Sequence, residues 1–148
     1  MMGYRVIPTN DINLTPDVAI GVKFPFDGNG VFTKTFTTEE QASTNIKSLL
    51  LTRKGERYEQ PNFGTDLLNA LFEPNNEGLK SFIEETITTA VSFWLPYIDI
   101  SNLEIITQED DPLLIHKIKI ALSFSINGSG SEQVITIIAQ EDGIVTIE

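Results

Sequence analysis

The sequence predicts an α+β domain, with central helices packed on a mainly antiparallel sheet weighted to the C-terminal half. Two observations carry that expectation. Apolar residues recur at helical spacing from Ala42 to Leu50 and again from Leu79 to Trp94, and beyond Pro96 the period drops to two. The length of 148 residues suits one domain with a real core. We expect an N-terminal arm over residues 1–17 and a single domain over 18–148. The arm contains Pro8, Asn10, Asp11, Asn13 and Pro16 and holds no sustained period.

From Val18 the chain turns apolar, passes the turn Asp27-Gly-Asn-Gly30, and returns through Val31–Phe36, which suggests a hairpin or a pair of edge strands. Pro25 keeps the first run near an edge, since it has no N–H for a ladder. A helix should begin at Thr37 or Thr38. Thr37 with Glu40 forms a capping box, and Thr38 with Gln41 fits equally well. Ala42, Ile46, Leu49 and Leu50 form its buried stripe, its end falls near Thr52 to Lys54, and Gly55 reads as its C-cap. A loop over 54–64 leads to a short helix with Leu67, Leu68, Leu71 and Phe72, closed by Glu73-Pro74.

Asn75 and Asn76 can cap a longer helix with Leu79, Phe82, Ile83, Ile87, Ala90, Val91 and Trp94 on one face, stopped by Pro96. Strands follow around Leu103 and Ile105, and then through Ile118, Ile120, Leu122, Phe124 and Ile126, with Lys117, Lys119, Ser123 and Ser125 opposite. Short links at Asn127–Ser131 and Asp142-Gly143 return the chain into Val134–Ala139 and 144–148, so antiparallel pairing is the economical topology.

Composition excludes several chemistries. With no cysteine there is no disulfide framework, thiol nucleophile, zinc ribbon or iron–sulfur site, and one histidine cannot build a multi-histidine metal centre. The net charge is −11, with three bases against twelve acids in residues 75–148. That balance repels phosphate backbones, so no nucleic acid is expected as a partner. The acidic half suits solubility, or docking to a basic protein. No signal peptide or membrane span is visible, and a cytoplasm-like compartment of synthesis is expected. No cofactor is called for.

The candidate catalytic residues are weak. His116, in phase with Ile118 and Ile120, reads as a rim or core residue without a nucleophile motif beside it. Glycoside hydrolysis needs only two carboxylates, and Glu56, Glu59, Asp66 and Glu73 lie in or beside the central loop. The bases Arg53, Lys54 and Arg57 around Glu56 favour ion pairing over the buried setting of a general acid. Asp27-Gly-Asn-Gly30 lacks the glycine and the acid of a calcium loop. From its residues alone the chain is an acidic α+β domain with a binding or structural role.

One ordered set of residues goes further. Phe24-Pro-Phe26, Asn45-Ile46, Leu49–Thr52, Gly55-Glu56-Arg57, Pro61-x-Phe63-Gly64, Leu67 and Leu71-Phe-Glu-Pro74 follow one another in this order. Over about residues 18–126 the chain resembles the baseplate wedge proteins of contractile-tailed phages, which have relatives in type VI secretion and other contractile injection machines. The resemblance implies a non-enzymatic virion component in six copies around the baseplate hub. It also implies wedge and hub proteins and the tail sheath protein as partners. Sheet edges would pair with strands of the first sheath ring, which makes the last run, with Ile144, Val145 and Ile147, a candidate contact. Assembly would take place in the host cytoplasm and the product would sit in the tail.

Where the family has Trp-Glu-Pro-Arg, this chain has Trp94-Leu95-Pro96-Tyr97, so its contact to the wedge core would be made differently. Gly55, Glu56 and Arg57 occupy the family's Gly-Glu-Arg positions, where they either tie the loop or reach a neighbour. Many family members carry the label lysozyme-like, and a peptidoglycan hydrolase built on two of the four loop carboxylates is the alternative reading.

Overall fold

A computed structural model describes residues 18–24, 32–70, 77–115, 117–127, 130–140 and 145–147. The expected arm, the 27–30 turn, Glu73-Pro74, the Asn75 and Asn76 caps, His116, Asp142-Gly143 and Ile144 lie outside the described residues. The first described elements are two short paired strands, β1 (Gly21–Val22) antiparallel to β2 (Lys34–Thr35), as the two extended runs suggest.

Helix α1 (Thr38–Leu51) takes Thr37, not Thr38, as its N-cap. The Thr37 hydroxyl accepts from Glu40 N, while the Glu40 carboxylate accepts from the backbone N–H groups of Phe36 and Thr37. Gln41 cannot close the competing box, because its side chain is committed elsewhere: it accepts from the Thr35 hydroxyl at 2.5 Å and donates to Asn45 at 2.8 Å. Asn45 in turn donates to the Tyr97 hydroxyl at 2.8 Å. This polar chain ties the paired strands, α1 and the turn after the long helix together. Ala42, Ile46, Leu49 and Leu50 are buried as the spacing requires.

The short α2 (Leu67–Ala70) and the long α3 (Glu77–Trp94) follow. Leu79, Ile83, Ile87 and Val91 form the buried stripe of α3, with Ala90 and Trp94 at its margin. Phe82 does not belong to that stripe: it is 45% exposed, because its position turns it away from the line through Ile83, Ile87 and Val91. Among the described residues no helix is long and apolar enough to cross a membrane.

Four strands make an antiparallel sheet in the order β3-β4-β5-β6, namely Ile98–Ile106, Lys117–Ile126, Glu132–Gln140 and Val145–Ile147. β3 is longer than its two-residue period around Leu103 suggests, because a bulge between Ile100 and Asn102 shifts the register. Ile98 and Ile100 therefore face the same core as Leu103 and Ile105 despite being out of phase with them. Ile118, Ile120, Leu122 and Phe124 of β4 join Ile135 and Ile137 of β5 in one cluster with α1 and α3. Helices thus cover one sheet face. Each fully buried Ile, Leu or Phe contributes about 1.5–3 kcal/mol. β6 pairs with Ile137, Ile138 and Ala139 of β5 alone, a third of that strand's length.

Candidate functional site

The loop between α1 and α2 owes its shape to how α1 stops. Helix α1 ends where the sequence expects, with the extended Thr52 as its C-cap, but Gly55 is not that cap. The Thr52 hydroxyl and N–H both donate to the Ser48 carbonyl. From there the backbone runs beside the returning chain: Arg53 bridges Thr65 in parallel, Thr65 N donates to Thr52 O at 2.8 Å, and the buried Thr65 hydroxyl donates to Leu50 O at 2.9 Å. These tertiary bonds satisfy the last carbonyls of α1, which removes the need for a glycine cap.

Two glycines with positive φ shape the loop, Gly55 at 86° and Gly64 at 110°. Gly55 N donates to Pro61 O at 2.7 Å and closes the loop. Gly64 lies against Thr52, where a Cβ would overlap the Thr52 carbonyl oxygen. Only glycine satisfies both demands there.

Glu56 and Arg57 are both tied into the loop and exposed. The Glu56 carboxylate accepts from Arg53 N at 2.9 Å. The Arg57 guanidinium stacks over Phe63, 3.8 Å from the ring centroid, and donates to the Ser48 hydroxyl at 3.2 Å. Phe63 meets Trp94 edge-on with centroids 5.2 Å apart, and Trp94 meets Phe93 at 5.1 Å. So Arg57 and Trp94 meet through Phe63 in a stack running from the loop to the end of α3, while Gly55 and Glu56 hold the shape of that loop.

Beside the stack lies a groove of about 580 Å³, walled by Phe82, Glu85, Phe93 and Trp94 of α3 and by the Lys54–Asp66 ion pair at 3.4 Å. Phe93 is 73% exposed. Sequence reasoning missed Phe63 as the centre of the stack and misassigned Phe82. A signal was present: Phe82 and Phe93 are eleven residues apart, three turns of helix, and so share a face distinct from the core stripe.

The other expected contact residues lie apart. Pro96 is exposed, and its carbonyl accepts from the Asn127 side chain at 3.4 Å. Tyr97 turns to Asn45 on α1 and accepts at its carbonyl from Asn127 N. Val145 and Ile147 lie on β6, at the opposite edge of the sheet from β3. The described loop carboxylates are committed elsewhere or open to solvent. Glu56 holds a backbone amide, Asp66 holds Lys54, Glu59 is exposed, and Glu73 lies outside the described residues.

Elsewhere, Asp110 is the most strongly shifted acid of the described residues. A hydrogen bond from Lys80 at 2.7 Å and bonds from Thr107 lower its pKa to about 2, pinning the turn after β3 to α3.

Comparison with known proteins places this architecture. The family profile described as baseplate wedge protein gp25 matches residues 37–131, from the α1 cap to the start of β5. The baseplate wedge protein gp25 of Enterobacteria phage T4 is 33% identical over 78 residues, a match covering 53% of this chain and 59% of that protein. The chain thus spans less than two thirds of this relative's length. Among solved structures, a Geobacter sulfurreducens protein provisionally called a tail lysozyme superimposes with a TM-score of 0.61 at 19% identity. The superposition covers 70% of this chain and 91% of that one. A chain of the postcontracted pyocin R2 baseplate superimposes with a TM-score of 0.53 at 20% identity, covering 73% and 98%. At these identities the two structures share the fold.

Proposed function

This chain belongs to the baseplate wedge protein gp25 family, and we propose that it is a structural part of a contractile-tail baseplate that docks on the wedge and starts the first sheath ring by strand pairing. The observation that carries this reading is the sheet. Helices cover one face only, and the outer strands β3 and β6 have no further partner among the described residues. Such an edge is a row of backbone donors and acceptors ready for another chain's strand. The Arg57–Phe63–Trp94 stack, with Gly55 and Glu56 behind it and Pro96 and Tyr97 at the following turn, supplies a second surface for the wedge core. There the apolar Phe82–Phe93 groove takes the place of the Glu-Pro-Arg contact.

The functional unit is residues 18–148, with the arm at 1–17 ordering on a neighbour, six copies around the hub, and final residence in the tail after assembly in the host cytoplasm. No step requires catalysis. The lysozyme name of one fold neighbour travels with a likeness of 19% identity, which supports the fold and not the activity. The test is assembly. Charge reversal at Glu56 or Arg57, or deletion of residues 144–148, should yield folded protein that no longer supports sheath attachment. Normal sheaths with all three variants would refute the proposal.

A further inference from the structure

The link between β3 and β4 is tied down along its length and yet carries two large aliphatic side chains in water. Two turns follow each other. In the first, Asp110 N and Asp111 N both donate to Thr107 O at 3.0 Å. The Asp110 carboxylate accepts from Thr107 N at 2.9 Å and from the Thr107 hydroxyl at 3.1 Å. The same carboxylate meets Lys80 of α3 at 2.7 Å, which fastens the link to the helix. In the second turn, Leu114 N donates to Asp111 O at 3.0 Å, and Leu113 N donates to the Asp111 carboxylate at 3.0 Å. Asp111 and Pro112 are the residues that the first two positions of such a turn favour, Asp for its side-chain acceptor and Pro for its fixed φ. Lys117 N then donates to Leu114 O at 3.2 Å as β4 begins.

Leu113 takes the third position of the second turn and is 86% exposed, and Ile115 is 57% exposed. A single leucine in water is ordinary. Here two aliphatic side chains project from backbone already fixed in shape, so covering them demands little further ordering, which is the property of an interaction surface. The charges around the turn narrow the partner. Lys80 and Asp110 neutralise each other. Glu109, and Glu84 one turn along α3 from Lys80, are exposed and have no ion pair among the described residues, and Asp111 adds a third carboxylate. The nearest further cation along the chain is Lys117, one base against three acids. A second copy of this chain does not match, because its Phe82–Phe93 groove is edged by Glu85, and Lys54 there is already paired with Asp66. The turn is also separate from the Arg57–Phe63–Trp94 stack. Lys80 lies near the start of α3 and Trp94 at its end, about 21 Å apart along the helix axis.

We propose that the Asp111–Leu114 turn inserts Leu113 and Ile115 into an apolar socket of a neighbouring baseplate protein, and that Lys or Arg side chains edge this socket and meet Glu84, Glu109 and Asp111. The inference rests on the reading that the chain is built into a baseplate, and it adds a contact near the start of α3, away from the aromatic stack. The aliphatic pair supplies attachment, because it leaves water on docking. The carboxylates select among apolar sockets, because an acid-edged one repels them.

Photo-cross-linking in intact particles tests this. With benzoylphenylalanine in place of Leu113, irradiation should join position 113 to one other baseplate protein, at a peptide that mass spectrometry finds to hold apolar residues with Lys or Arg. A label confined to this chain, a label on a second copy or on the sheath protein, or a labelled peptide bearing acids in place of bases would overturn the proposal and leave the baseplate reading standing. Particles that lack the chain altogether would remove both. In parallel, the Leu113→Ser/Ile115→Ser double variant should keep the thermal midpoint of the isolated protein, since both side chains are exposed, while its incorporation into particles falls about tenfold or more. Val134→Ser removes an apolar side chain that is 63% exposed on β5 and should leave incorporation unchanged. Glu84→Lys/Glu109→Lys should lower incorporation as well. Full incorporation of the serine variant would overturn the insertion, and full incorporation of the lysine variant would overturn the basic edge.

Discussion

Replacing Gly64 with alanine separates two costs that are usually confounded, because Gly55 supplies a matched control. Both residues have positive φ, so either substitution forces an L side chain into left-handed backbone, at about 1 kcal/mol. Around Gly55 nothing lies within 4 Å of a new Cβ, so that cost stands alone. At Gly64 the Cβ would overlap the Thr52 carbonyl oxygen, the acceptor of the Thr65 N–H bond at 2.8 Å. Relieving the overlap pushes the strands of the loop apart and strands a buried amide, at about 2 kcal/mol more. The reduced freedom of the unfolded chain is common to both variants and cancels in the difference. With a urea m-value of about 2 kcal/mol/M, the Gly64→Ala midpoint should fall about 1 M below that of Gly55→Ala. Hydrogen exchange at the Thr65 amide should accelerate in the first variant only. Equal midpoints would refute the claim that the Thr52–Thr65 crossing holds the loop.

Thr37→Ala removes one half of the capping box and should cost about 1 kcal/mol, seen as a thermal midpoint a few degrees lower. Arg57→Ala loses an exposed cation–π contact of about 0.5–1 kcal/mol, and a double-mutant cycle with Phe63→Leu should recover a coupling of that size. Asp110 titrates from a folded pKa of about 2 against 3.8 unfolded, so its stabilising effect is complete above pH 4 and is lost as pH falls toward 2. Asp110→Asn should flatten the acid limb of a pH–stability curve in that window and leave neutral behaviour otherwise parallel. The pure protein should leave peptidoglycan turbidity unchanged, and clearing abolished by Glu56→Gln or Asp66→Asn would revive a hydrolase.

Periodicity made most of the fold legible. The buried stripes of α1 and α3 and the alternation of β4 follow directly from residue spacing, because burial on one face leaves no other arrangement. What periodicity could not show were features decided by distant partners. Gly55 looks like the cap of α1, but Thr52 is the cap because Thr65, thirteen residues after Thr52, takes its free carbonyl. Thr37 and Thr38 are equivalent locally, and Gln41's bonds to Thr35 and Asn45 separate them. The bulge at Ile100 breaks the period of β3, so its first half reads as out of phase. The site was half legible. The Gly55-Glu56-Arg57 motif marked the loop, while the role of Phe63 depends on Trp94 approaching from another helix.

The central claim is that this chain is built into the baseplate where the sheath begins. A quantitative mass-spectrometric inventory of purified contractile particles from the source tests it most directly. The account predicts one copy of this chain for each subunit of a single sheath ring, retained when the sheath is stripped from the baseplate. Intact particles lacking the chain, with the protein abundant in the surrounding lysate, would contradict it.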